Sequence, residues 1–192
     1  PELVERLGRE PTLVLQAPPG AGKTTRVPLA LADADWLEGQ KVVVLEPRRL
    51  AATSAANRMA KELGQETGQR VGYRVRMDSK VSDSTQVEVM TDGLFLRRLL
   101  QDPDLPGVGC VIFDEFHERG ISSDISLALL LEVRELRPEL AVVVMSATLA
   151  ADSVAELLGG APLLRSEGRS YPVEVRHLPP RATEWLPQHV ER

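Results

Sequence analysis

Short apolar runs alternate with longer amphipathic segments along most of the chain. The runs are rich in valine, leucine and isoleucine, which favour buried strands, whereas the longer segments are typical of helices packed on one side. Strands are predicted over residues 12–16, 41–45, 70–76, 86–90, 108–113 and 141–145, with weaker ones at 163–165 and 173–177. Helices are predicted over residues 22–32, 48–63, 92–100, 124–136 and 152–158, and a turn over 78–84.

This order of elements predicts the fold class. Apolar strands separated by helices indicate a mostly parallel sheet with helices on both faces. We therefore predict one doubly wound α/β domain over residues 1–177, in which ligands bind at the carboxyl ends of the strands. The proline-rich segment from Leu178 to Arg192 reads as a linker rather than as part of the core.

Charge is distributed unevenly. The 192 residues carry a net charge of −5, but residues 41–80 alone carry nine basic and four acidic side chains. Such a local basic stripe suffices for phosphate contacts if it folds onto one face, although a solvated surface would look the same. The single cysteine, Cys110, is compatible with a reducing cytoplasm. No apolar run approaches the ~20 residues that span a bilayer, so no membrane association is expected.

A phosphate-binding loop is predicted at residues 16–25, which read QAPPGAGKTT. The pattern G-x-x-x-x-G-K-[ST] is met except that Ala17 replaces the first glycine. A strand that leads through such a loop into a helix aims backbone N–H groups and the helix dipole at an anion. Lys23 can then reach the β- and γ-phosphates and the Thr24 hydroxyl can bind Mg²⁺. A chance match in a glycine-rich turn is the alternative.

Two acids follow the predicted strand at 108–113. Asp114 is a candidate Mg²⁺ ligand opposite Thr24, and Glu115 a candidate to polarise the attacking water. Both acids could instead cap the next loop or pair with Arg119. His117 is a candidate hydrogen-bonding relay near the γ-phosphate, or else an exposed loop histidine.

A hydroxyl pair ends the next strand. Ser146 and Thr148 flank Ala147 directly after the run at 141–145. Considered alone, two hydroxyls at this place are typical of a cap for the helix that begins near Asp152.

Together these segments resemble the first RecA-like domain of superfamily 2 helicases, in particular the DEAH-box family and its bacterial HrpB-type subgroup. Five segments carry the resemblance in family order: 20–25, 46–52 (EPRRLAA), 91–93 (TDG), 114–119 (DEFHER) and 146–148 (SAT). Phe116 stands where the family name has alanine. The stretches at 71–76 and 168–175 are also similar to the family. The resemblance implies a RecA-like P-loop NTPase fold over essentially the whole chain.

The resemblance also assigns roles to matching positions, with ATP and Mg²⁺ as cofactors. The catalytic residues it implies are Lys23, Asp114, Glu115 and His117. Nucleotide binding falls to Gly20, Ala21, Gly22, Lys23, Thr24, Thr25, Arg58, Ser146 and Thr148, with Arg58 stacking on adenine and the motif hydroxyls coupling hydrolysis to movement. The metal ligands are Thr24 and Asp114. Single-stranded nucleic acid, RNA in preference to DNA, would contact Arg48, Arg49, Thr91, Asp92 and Gly93.

Family members close ATP between two RecA-like domains, so the resemblance implies a second such domain and C-terminal domains as partners in the parent chain. We expect this segment alone to bind nucleotide weakly, to hydrolyse it slowly and not to unwind duplexes. Two other functions stay open at this point. A P-loop ATPase of another class, such as a nucleotide kinase or a transporter motor, would leave Arg48 and Thr91 without a role. A non-catalytic, nucleotide-gated interaction module would not need Glu115.

Overall fold

The computed structural model describes residues 2–18, 20–147 and 151–166. Three sequence predictions fall outside these ranges: the position of Thr148, the weak strand at 173–177 and the linker at 178–192. Within the described ranges, no helix combines the length and apolar character that a bilayer crossing requires.

One sheet of eight strands organises the described residues. Its strands are β1 (Thr12–Gln16), β2 (Lys41–Glu46), β3 (Val71–Val75), β4 (Asp78–Lys80), β5 (Val87–Thr91), β6 (Val108–Phe113), β7 (Ala141–Ser146) and β8 (Leu163–Arg165). Their spatial order is β4-β3-β5-β2-β6-β7-β1-β8. Every neighbouring pair is parallel except β3 and β4.

Helices cover both faces of this sheet. They are α1 (Glu2–Leu7), α2 (Lys23–Ala32), α3 (Arg49–Glu62), α4 (Asp92–Gln101), α5 (Ile121–Leu136) and α6 (Ala151–Leu157), with 3₁₀ turns at Asp35–Leu37 and Phe116–Glu118. Alternate residues of β2 divide between two cores: Val42 and Val44 lie in the core under α2 and α3, and Val43 and Leu45 in the core under α4, α5 and α6. The strands are therefore buried on both sides, and the predicted doubly wound fold is confirmed.

The short strand β4 corrects the turn predicted over 78–84. Residues 78–80 pair antiparallel with β3, with Tyr73 opposite Lys80. A Cβ on Gly72 would lie 2.3 Å from the Lys80 carbonyl oxygen, so this close approach requires glycine. Three exposed polar residues show no alternating pattern, and periodicity therefore could not predict this strand. The same limit applies to α1 and the 3₁₀ turns, which are too short to show a helical repeat.

The strand order determines where the motifs meet. In the sheet, β2, β6, β7 and β1 lie next to one another in that order, and each neighbouring pair is parallel. Their carboxyl ends therefore lie side by side at one edge of the sheet. Glu46, Asp114, Ser146 and the loop after Gln16 are all at this edge.

Candidate nucleotide site and nucleic-acid surface

The loop between β1 and α2 forms an open cradle. Gly20 and Gly22 both adopt φ +79°, a conformation that side-chain-bearing residues rarely adopt, and a Cβ on Gly20 would meet nothing within 4 Å. Among the described residues, the backbone N–H groups of Gly22, Lys23 and Thr24 donate no hydrogen bond. The cradle can therefore offer these donors, at the positive end of α2, to an anion.

Lys23 and Thr24 project from the start of α2 onto the two acids that follow β6. The Lys23 Nζ donates to Glu115 Oε1 over 2.9 Å and lies 3.9 Å from Asp114 Oδ1. The Thr24 hydroxyl donates to Asp114 Oδ2. The structure thus brings together the four residues for which the sequence predicted phosphate, metal and water chemistry.

This donor set fits Mg²⁺. A hydroxyl and a carboxylate oxygen are hard ligands, and Mg²⁺ usually takes one or two of them from a protein and keeps water and phosphate oxygens for its other positions. Thr24 and Asp114 already lie in contact. Among the residues that the structure describes, no cluster of three or more His, Cys, Asp or Glu side chains forms an all-protein metal cage.

Burial shifts the pKa values of two acids at this edge of the sheet. Glu46, at the end of β2, is only 2% exposed, and burial together with Asp114 and Glu115 raises its pKa to about 8. Burial also raises the pKa of Asp114, while the Thr24 hydrogen bond and the Lys23 charge oppose that shift. Glu46 is therefore protonated at neutral pH, and Lys23 faces the two acids at the end of β6.

The end of β7 contacts both motifs. The N–H of Ala17 donates to the Ser146 carbonyl over 3.1 Å, so the phosphate-loop strand and β7 are joined at their ends. The N–H of Ala147 donates to His117 Nδ1 over 3.3 Å, and His117 Nε2 lies 3.5 Å from Glu115 Oε2. His117 thus lies between the Glu115 carboxylate and the backbone of the SAT segment.

Thr25 and Arg58 lie differently from the other predicted nucleotide ligands. The Thr25 side chain is buried, and its hydroxyl donates to the Gly22 carbonyl, so it stabilises the loop from its buried side. Arg58 is exposed on α3 and forms a loose i,i+4 ion pair with Glu62. Ala21 is exposed at the tip of the loop, where it can contribute only backbone.

The predicted nucleic-acid residues lie beside the nucleotide site. Arg48 precedes α3 and is exposed, as is Arg49, and the Arg48 Nη2 donates to Glu118 Oε1 over 2.8 Å. Thr91 ends β5 and Gly93 is exposed in the first turn of α4. These residues follow β2 and β5, which are adjacent parallel strands.

Asp92 corrects one part of that prediction. Its side chain is 9% exposed and lies inward, near the position where a Cβ on Gly120 would be. Burial, with the nearby charge of Glu118, raises its pKa to about 6. The Asp92 carboxylate therefore lies beside the segment after the acid pair and is largely withdrawn from the surface.

Sequence reasoning missed Glu46 and Glu118 as site residues. Both lie inside segments that resemble family motifs, EPRRLAA and DEFHER. The sequence of a motif does not indicate which residues an acid within it will contact in the fold. Only the register of β2 against β6, which pairs Leu45 with Phe113, puts Glu46 beside Asp114.

The sequence of this chain matches the DEAD/DEAH box helicase model over residues 2–157. The chain belongs to the DEAD/DEAH box helicase family. The resemblance of its motifs to that family is thereby confirmed, and the sheet described above is the RecA-like fold of a helicase motor domain.

Comparison with individual members gives the extent of the likeness. The chain is 47% identical, over 190 residues, to a protein named ATP-dependent RNA helicase HrpB from Escherichia coli (strain K12). Two crystal structures of E. coli HrpB, described as a DEAH/RHA helicase and a DExH-box NTPase, match with TM-scores of 0.85 and 0.83 at 46% identity. The matches cover 97–98% of this chain but only 23–24% of those proteins. The chain therefore spans about a quarter of the length of these relatives.

Proposed function

We propose that this chain is the N-terminal motor domain of an ATP-dependent RNA helicase, which couples hydrolysis of Mg-ATP to movement along single-stranded nucleic acid. One observation carries the proposal: Lys23 and Thr24 contact the Asp114–Glu115 pair at the sheet edge beside exposed Arg48. RNA is preferred to DNA because the relative that shares 47% identity is named an RNA helicase.

Each residue has a defined task in this proposal. Thr24 and Asp114 would hold Mg²⁺, which when bound would supply positive charge against the negative charge that develops on the transferred phosphoryl group. Lys23 turns from Glu115 to the β- and γ-phosphates, so that Glu115 becomes free to accept a proton. A water oxygen then bonds to the γ-phosphorus, the bond to the β–γ bridging oxygen breaks, and the water proton passes to Glu115.

His117 links the hydrolysis site to the rest of the domain. Its ring contacts both the Glu115 carboxylate and the Ala147 N–H, so a displacement of Glu115 alters the contact at the end of β7. Ser146 and Thr148 belong to the same SAT segment, for which we propose the coupling of hydrolysis to movement. Arg48, Arg49, Thr91 and the Gly93 backbone bind the strand through its phosphates, which positions it without reading sequence.

The partners follow from the size of the relatives. Because this chain spans 23% of the E. coli protein, we propose that a second RecA-like domain and C-terminal domains complete the motor. Residues 178–192 are proposed as the link to them. A reducing compartment such as the cytoplasm suits Cys110, which is buried and unpaired.

The test is the ATP turnover of the full-length protein with and without single-stranded RNA. We expect RNA to raise turnover, and Lys23→Ala and Glu115→Gln each to lower it by about 100-fold or more. Lys61→Ala, an exposed lysine at the end of α3, is the matched control and should not change turnover.

Three results would contradict the proposal. If RNA does not raise the ATP turnover of the wild-type protein, a P-loop ATPase of another class, such as a nucleotide kinase, would be favoured. Unchanged hydrolysis in the Glu115→Gln variant would favour a nucleotide-gated interaction module. Strand separation by this 192-residue chain alone would contradict the need for a second domain.

A further inference from the structure

A basic cavity lies between α4 and the strands β3 and β5. Its volume is about 430 Å³, and it shares no lining residue with the nucleotide site. Its charged lining consists of four basic side chains and one acid: Lys41, Arg74, Arg97, Arg98 and Glu88. On a chain with a net charge of −5, this concentration of positive charge is local.

Glu88 neutralises only part of that charge. Its side chain is 2% exposed and accepts a hydrogen bond from Arg74 Nε over 2.6 Å, while Arg98 Nη1 lies 4.0 Å away. Within the described ranges, Lys41 and Arg97 form no ion pair, and the Arg74 Nη groups donate no hydrogen bond. The cavity therefore presents unused donors and about three surplus positive charges. Such a wall favours a ligand with several negative charges, because fields add inside a concave surface.

The cavity neighbours the surface proposed for nucleic acid. A second cavity of about 340 Å³ shares Arg74 and Leu94 with it. A third, of about 410 Å³, shares Val75 and Asp78 with the second and is lined by Arg49. Neighbouring cavities that share lining residues thus extend from Arg49, around the carboxyl end of β3, to the basic cavity.

We propose that the basic cavity binds phosphates of a single-stranded nucleic acid that continues past the surface formed by Arg48, Arg49 and Thr91. A polyphosphate chain is favoured over an acidic protein segment because the basic cavity neighbours the proposed strand-binding surface, through a second cavity that shares lining residues with it and with the third cavity, which Arg49 lines. The inference rests on the proposed function, since it extends the path of the same strand. It adds a second contact region, so binding should strengthen with strand length.

The test is binding of single-stranded RNA to the full-length protein, measured by fluorescence anisotropy with strands of about 6 and about 20 nucleotides. Arg97→Glu should weaken binding of the long strand about tenfold and leave the short strand unchanged. The slope of log affinity against log salt should become shallower by roughly 1 for the long strand. Arg97→Gln should show the same pattern with a smaller loss.

Arg9→Glu is the matched control, because Arg9 is exposed and the charge change is identical. The inference is overturned if Arg97→Glu affects both strands equally, or neither. It is also overturned if the variant lowers the melting temperature without a length-dependent change in binding, which would indicate that an acidic protein segment covers the cavity. Failure of the proposed function looks different: the wild-type protein would then bind neither strand.

Discussion

At the scale of single residues, three acids share the edge of the sheet with one lysine. Ionised carboxylates without counter-charges are costly to bury, and Asp114 and Glu46 are both almost fully buried. Two features reduce the cost. Lys23 contacts both Asp114 and Glu115, and Glu46, whose pKa is about 8, is protonated at neutral pH. The remaining negative charge is therefore on the two acids to which we assign metal binding and water activation.

A pH-dependent stability is expected from Asp92. Its pKa of about 6 lies above the ordinary value of 3.8, so the folded chain binds the proton more tightly than the unfolded chain. Its contribution to the free energy of unfolding is therefore greatest below about pH 4 and declines as the pH rises to about 6. Asp92→Asn removes this decline. We expect its gain over the wild type to grow by on the order of 2 kcal/mol between about pH 4.5 and pH 7.

Urea unfolding of this chain at the two pH values measures that gain. Asp102→Asn, the same substitution at the exposed carboxyl end of α4, is the control. A gain for Asp92→Asn that does not change with pH would mean that the Asp92 carboxylate is not desolvated in the fold.

At the scale of elements, the 3₁₀ turn Phe116–Glu118 lies between the proposed nucleotide site and the proposed nucleic-acid surface. It is flanked by Glu115 and Arg119, whose backbones are left-handed with φ values of 48° and 49°. From this turn, His117 accepts from Ala147 and Glu118 accepts from Arg48. A phosphate that binds Arg48 must compete with Glu118 for the guanidinium group. In the proposed function, strand binding on one side of the turn would be linked through these contacts to the position of Glu115 on the other.

Glu118→Gln is expected to raise the affinity of the full-length protein for single-stranded RNA about threefold, because Arg48 loses its competing carboxylate. The free energy of unfolding should change by less than about 0.5 kcal/mol, since the ion pair is exposed. Glu62→Gln is the matched control, because it frees the similarly exposed Arg58 instead. Equal or weaker RNA binding by Glu118→Gln would contradict the competition.

At the scale of the whole molecule, the sequence was informative wherever a pattern was long or a motif was dense. Apolar runs at 108–113 and 141–145 predicted β6 and most of β7, and the glycine-rich loop predicted Lys23 and Thr24. The sequence did not predict which residues of one strand lie beside which residues of the next. Asp92 and Glu46 show why, because their burial depends on neighbours that are distant in sequence, Gly120 in one case and Asp114 in the other. The hairpin of β3 and β4 depends likewise on a close backbone approach at Gly72.

Our central prediction is that a magnesium–triphosphate binds at this same edge of the sheet, between the phosphate loop and the acids after β6. The most direct measurement is a crystal structure of this chain with Mg²⁺ and a non-hydrolysable ATP analogue at high concentration. We predict the metal within about 2.1 Å of the Thr24 hydroxyl oxygen, with Asp114 beside it directly or through water, and Lys23 on the phosphates instead of on Glu115. Phosphates bound away from the Gly20–Thr24 cradle, or a metal remote from Asp114, would contradict the account.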